Sequence, residues 1–136
     1  MIGLVIVTQG RLGAELRATL EHVVGRQSQL ELVSITSETD LERDRASLDA
    51  AVRRVDTGEG VVVVTDMFGA PASDLALPLV DERKLEVIGG VNLPTLIKLA
   101  SIRRAGCSVA EAASAAQESG RKHIRHCPEV VARFSQ

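Results

Sequence analysis

The chain has 136 residues, 45% hydrophobic and 25% charged, with 16 basic against 18 acidic side chains and two Phe as its only aromatics. That length suits one domain with one core, and abundant Val, Leu, Ile and Ala at near-zero net charge exclude disorder. The scarcity of aromatics excludes platforms for stacking bases or sugars, the balanced charge gives no support to nucleic acid as a partner, and no apolar run approaches the roughly 18 residues of a membrane span.

The start, MIGLVIVTQG, has neither a basic n-region nor a small-residue cleavage site, so no secretory signal is expected. Cys107 and Cys127 lie outside any Cys-x-x-Cys spacing, which points to a reduced, cytoplasmic setting.

Apolar runs of strand length alternate with helical periodicity. Ile2–Val7 is a continuous apolar run, the pattern of a strand buried on both faces. Leu12, Leu16, Leu20, Val23 and Val24 then recur at helical spacing up to Gly25. Leu30–Ile35 reads as a second strand. Thr39 and Glu42 have capping-box spacing before a helix with Leu41, Leu48, Val52 and Val55 on one face.

Val61–Val64 is the most β-branched strand, and a short helix is expected from about Ser73, shortened by Pro78. Leu85–Ile88 is a fourth strand, and Leu93, Leu96, Ile97 and Ala100 form a helical face with Pro94 in its first turn. Ser108 and Glu111 cap an Ala-rich helix reaching about Gly120, followed by an amphipathic basic tail, residues 121–136. This alternation predicts a single α/β domain over residues 1–136, with a parallel sheet, right-handed crossovers and helices on both faces.

Open parallel sheets bind ligands at the carboxyl ends of their strands, where the strand order reverses. For order 2-1-3-4 that crevice lies between Thr8-Gln9-Gly10 and Thr65-Asp66-Met67-Phe68-Gly69. Asp66 closes an apolar strand, so it either orients a catalytic group or caps the following turn.

The blocks MIGLVIVTQGRLG, EHVVG, GVVVVTDMFG, EVIGGVNLPTLIKLA and ESGRKHI, in this order, resemble the IIA component of the mannose-type bacterial phosphotransferase system, in its small stand-alone form. The resemblance implies a 2-1-3-4 parallel sheet. It also implies a homodimer in which a fifth, antiparallel strand is exchanged, a role open to the tail near Pro128–Phe134. In that family a histidine ending strand 1 takes a phosphoryl group from the histidine phosphocarrier protein and passes it to a IIB component. The aspartate matching Asp66 orients that histidine, and a Gly-Gly-Thr-Pro-Ser-Asn loop at a helix start receives the phosphate.

This sequence departs from the pattern at both places. Gln9 stands where the resemblance puts the histidine, and an amide nitrogen, its lone pair delocalised, is a poor nucleophile. Its NH₂ remains able to bond Asp66. The loop reads Gly69-Ala70-Pro71-Ala72-Ser73-Asp74: Pro71 removes a backbone N–H, Ala70 narrows a tight loop, and Asp74 opposes an anion. A single deliberate change at position 9 would leave the loop intact, so its divergence favours a naturally degenerate member.

The expected crevice therefore comprises Thr8, Gln9, Gly10, Asp66, Met67, Phe68, Gly69, Ala70, Ser73 and Asn92, with Asn92 read first as stabilising the turn before the fourth helix. No cofactor is expected. No metal is expected either, although His123, His126 and Cys127 have ligand spacing if helical. His22 reads as structural, and Gly10-Arg11-Leu12-Gly13 fits neither a Walker nor a dinucleotide fingerprint.

The function expected is that of a degenerate IIA component unable to be phosphorylated at Gln9. Such a protein would act by docking to the phosphocarrier protein, a IIB component or a regulatory kinase. Three alternatives stand beside it: an active carrier whose Gln9 is a deliberate change, a small-ligand sensor using the altered crevice, and an Asp66 acyl-phosphate. The last fails because strand 1 lacks the acidic pair for Mg²⁺.

Overall fold

The computed structural model describes residues 1–35, 40–67, 71–80 and 84–134. Four strands, β1 (Gly3–Gln9), β2 (Leu30–Ile35), β3 (Val61–Thr65) and β4 (Leu85–Ile88), form one parallel sheet of order β2-β1-β3-β4. The continuous apolar runs occupy the two central strands. Every residue of β3 and all of β1 except Gln9 is buried, since helices cover both faces.

On one face Leu4, Ile6, Val62 and Val64 pack against α1 (Leu12–Val24), α4 (Leu93–Ile102) and α5 (Val109–Lys122). On the other, Val5, Val7, Val61 and Val63 meet α2 (Leu41–Val55) and α3 (Pro71–Ala76). Register pairs Val7 with Thr65 and Gln9 with Ile35, so β1, β2 and β3 end near one level. Among the described residues, no helix is long and apolar enough to cross a membrane.

Several boundaries differ from the sequence reading. Thr39 lies outside the described residues, and the cap of α2 is Asp40, whose side chain accepts from the Arg43 amide. The third helix starts at Pro71 rather than Ser73 and passes into a 3₁₀ turn, Leu77–Leu79, where Pro78 ends the α-helical path.

Gly120 does not stop α5; it lies inside it. A Cβ there would stand 2.3 Å from Thr95 Oγ1, so glycine is what lets α5 approach the start of α4.

The tail, whose local structure the sequence leaves open, forms a helix in the single chain, α6 (Cys127–Phe134). Pro128 occupies the first turn of this helix, and Glu129 reaches back to accept the His126 N–H in the manner of a capping box.

The amino end of the sheet is tied by a side chain that the periodicity conceals. Arg103, at the carboxyl end of α4, is 1% exposed. Its Nε donates to the Ile2 carbonyl at 3.0 Å, Nη2 to the Gln29 carbonyl at 2.7 Å and Nη1 to Gln27 Oε1 at 3.4 Å. One planar fork thus joins α4, the start of β1 and the α1–β2 connection. Burial, with Arg104 alongside, lowers its pKa to about 10, so the group stays charged at neutral pH. The negative end of the α4 dipole favours that charge.

Replacing Arg103 by Met leaves the Ile2 and Gln29 carbonyls without their donor, and should lower the unfolding free energy by about 2–4 kcal/mol. Urea unfolding measures it, and an unchanged midpoint would contradict this role.

Candidate functional site

At the carboxyl end of β1 the chain must turn directly into α1, and Thr8 makes the joint. Thr8 is fully buried and its Oγ1 accepts the Gly13 N–H at 2.7 Å. Arg11, which precedes α1, offers no side-chain cap, so the strand's threonine satisfies a first-turn amide instead. A Cβ on Gly13 would lie 3.0 Å from Thr8 Oγ1 and 3.3 Å from Ile6 Cγ2, which reserves this position for glycine. Gly10 turns the chain with φ +55° and donates its N–H to the Ile35 carbonyl at 3.1 Å. The Ser34 hydroxyl donates to the Gly10 carbonyl. Gln9 is thereby held, exposed, on the rim of the crevice.

Asp66 faces it from the end of β3. Its Oδ2 accepts the Gln9 backbone N–H at 3.0 Å and its Oδ1 accepts the Met67 N–H at 2.9 Å. The bond expected from the Gln9 amide is made by the Gln9 main chain. Asp66 thus both braces its own turn and reaches across to strand 1, and the frame does not depend on which side chain stands at position 9.

The Val91 N–H donates to the Thr65 carbonyl at 3.1 Å, bringing the start of α4 beside the same strand end. Asn92 caps α4: Oδ1 accepts from the Thr95 N–H at 3.1 Å and from its hydroxyl at 2.6 Å, while Nδ2 donates to the Gly120 carbonyl at 3.0 Å. Met67 is exposed beside Asp66. Phe68, Gly69 and Ala70 lie outside the described residues, and Ser73 is placed only as part of α3. Asp74 is an exposed acid in the first turn of that helix.

Sequence reading named Thr8 without its partner Gly13, and missed Ser34. Thr65 was also left without a role. It is fully buried at the end of a valine run, and its hydroxyl has no hydrogen-bond partner among the described residues. The only signal was a hydroxyl in place of a fifth valine.

Arg11 has an 89% exposed side chain 3.9 Å from Glu15, and Lys98 is exposed, so both are solvated charges. His22 lies exposed in the last turn of α1. His123, His126 and Cys127 do not share one helical face, because α5 ends at Lys122 and α6 begins at Cys127. The His123 ring nitrogen Nδ1 is 2.8 Å from the Ser119 carbonyl.

An open parallel α/β sheet with an aspartate-braced strand 1 terminus at its switch point defines a doubly wound protein that presents Gln9 at the crevice rim. Residues 3–117 match the profile of the EIIA-man family, described as "PTS system fructose IIA component", and the chain belongs to this mannose-type family of phosphotransferase system IIA components.

The chain is 29% identical over 125 residues to the "PTS system mannose-specific EIIAB component" of Escherichia coli (strain K12), which covers 91% of this chain and 39% of that protein. It therefore spans about 39% of the length of this curated relative. The fold is shared with the mannose/sorbose specific IIA subunit from Enterococcus faecalis, with a TM-score of 0.82 at 24% identity over 92% of this chain and 93% of that one. EIIA from Streptococcus agalactiae superposes with a TM-score of 0.84 at 22% identity, over 93% and 97% of the two chains.

Replacing Asp66 by Ala releases the Gln9 and Met67 amides. Their hydrogen exchange should accelerate by about tenfold, with an unfolding cost of about 1 kcal/mol because the site is half exposed. Unchanged exchange at Gln9 would show that the carboxylate does not hold strand 1.

Proposed function

We propose that this chain is a IIA component that keeps the frame of a phosphocarrier without its nucleophile, and that it acts through docking rather than by carrying phosphate. The observation that carries the reading is the bond from Asp66 to the main chain of Gln9, since a frame anchored to backbone tolerates loss of the reactive side chain. The resemblance puts the phosphoacceptor histidine at position 9. A glutamine amide there cannot donate the lone pair that attack on a phosphoryl group requires. The altered loop, with Pro71 and Asp74, further weakens the site for an anion.

The partners proposed are those of the family: the histidine phosphocarrier protein and a IIB component, or a regulatory kinase that reads the IIA surface. A cytoplasmic location and a homodimer accompany this reading.

Incubation with phosphoenolpyruvate, enzyme I and the phosphocarrier protein tests the proposal. The wild-type chain should take up no phosphate, and Gln9→His should acquire an acid-labile label. Label on the wild-type chain would overturn the reading, and label on neither chain would place the loss in the loop or the docking surface.

A further inference from the structure

Among the described residues the β2 edge of the sheet is uncovered. LELVSI has no lysine or proline to blunt it, and its one charge, Glu31, is taken up by Arg54 of α2. In a parallel pair, alternate residues of a strand bond to its neighbour. The Leu4 N–H bonds to the Gln29 carbonyl and the Gly10 N–H to that of Ile35, so the odd-numbered residues face β1. The main-chain groups of Leu32 and Ser34 therefore point outward, and among the described residues nothing pairs with them.

Beside this edge, between β2 and α2, runs a groove of about 540 Å³. Its α2 wall is lowered by Ala46, Ser47 and Ala50, with Arg43 and Arg54 at its two ends and no carboxylate among its described lining residues. Arg54 touches Glu31 through Nε at 3.2 Å, while Arg43 has no carboxylate within ion-pair distance among the described residues. The two arginines are eleven residues apart on one helix, about 16 Å along its axis. Two residues four apart on an extended strand lie on one face about 13 Å from each other, within reach of both arginines.

From this geometry we infer that the β2 edge is a docking site for an extended partner segment carrying acidic side chains four residues apart. The segment adds as a fifth strand through the Leu32 and Ser34 main chain. Small residues on α2 leave room for its side chains, and Arg43 and Arg54 select its charge. A second copy of this chain is the wrong occupant. Two-fold pairing of β2 with itself would set Arg43 of one copy against Arg54 of the other, whose Glu31 is already held at 3.2 Å, so a second copy brings no free carboxylate. The site is independent of whether position 9 accepts phosphate.

The test is amide-resolved NMR titration of the full chain with a blocked Glu-Val-Thr-Val-Glu peptide and its Lys-Val-Thr-Val-Lys counterpart. The acidic peptide should shift the Leu32 and Ser34 amides saturably and slow their hydrogen exchange. Arg43→Glu should weaken it by about fivefold or more. Ala46→Glu, at an exposed position that leaves folding intact, should weaken it similarly. No shift, equal shifts with the lysine peptide, or shifts centred on Gly10 and Met67 instead would overturn the inference. So would protection of Leu32 and Ser34 that rises with protein concentration alone, the mark of self-pairing.

Discussion

The carboxylate of Asp66 is the contact on which the functional end of this molecule depends. Two strands of a parallel sheet are joined along their length by a ladder, but the ladder stops where the loops begin. Beyond that level the Gln9 N–H, on the side facing β3, would have only solvent to satisfy it. Asp66 supplies the missing acceptor from β3 to Gln9, and a second to its own turn at Met67. With Thr8 holding Gly13 and Ser34 holding Gly10, the rim of the crevice is built almost wholly from strand ends and backbone. Such a frame is indifferent to the side chain displayed at position 9. That indifference explains how a glutamine can stand there without cost to the fold.

The opposite end of the sheet is held by different physics. Arg103 is a buried cation without an ion-pair partner among the described residues, stabilised by carbonyl and amide oxygens and by the end of its own helix. It joins three segments far apart in sequence. The sheet is thus fastened at its amino end by one guanidinium and at its carboxyl end by one carboxylate.

Much of this was legible in advance. The central places of β1 and β3 follow from Ile2–Val7 and Val61–Val64, runs too apolar for any position but the middle of a covered sheet, whereas the full 2-1-3-4 order came from the family resemblance. The crevice followed from topology, and Gln9 and Asp66 from their places at two strand ends. What escaped was three-dimensional. Arg103 continues the spacing of Leu96, Leu99 and Ala100, so it lies on the buried face of α4, but pattern reading assigns charge to solvent. Gly120 looked like a helix stop because close packing against Thr95 leaves no trace in sequence. The tail's structure was left open, with a strand's role offered only by the family resemblance, and in the single chain Pro128 and Glu129 set up a helix locally.

The central claim is that Asp66 still addresses position 9. The direct measurement is an NMR titration of the imidazole in Gln9→His. With the carboxylate alongside, the ring should titrate above the roughly 6.5 of a free histidine, because the charged form gains a partner, and Asp66→Asn should bring it back down. A ring in Gln9→His that titrates at or below the free value, unmoved by Asp66→Asn, would contradict the account.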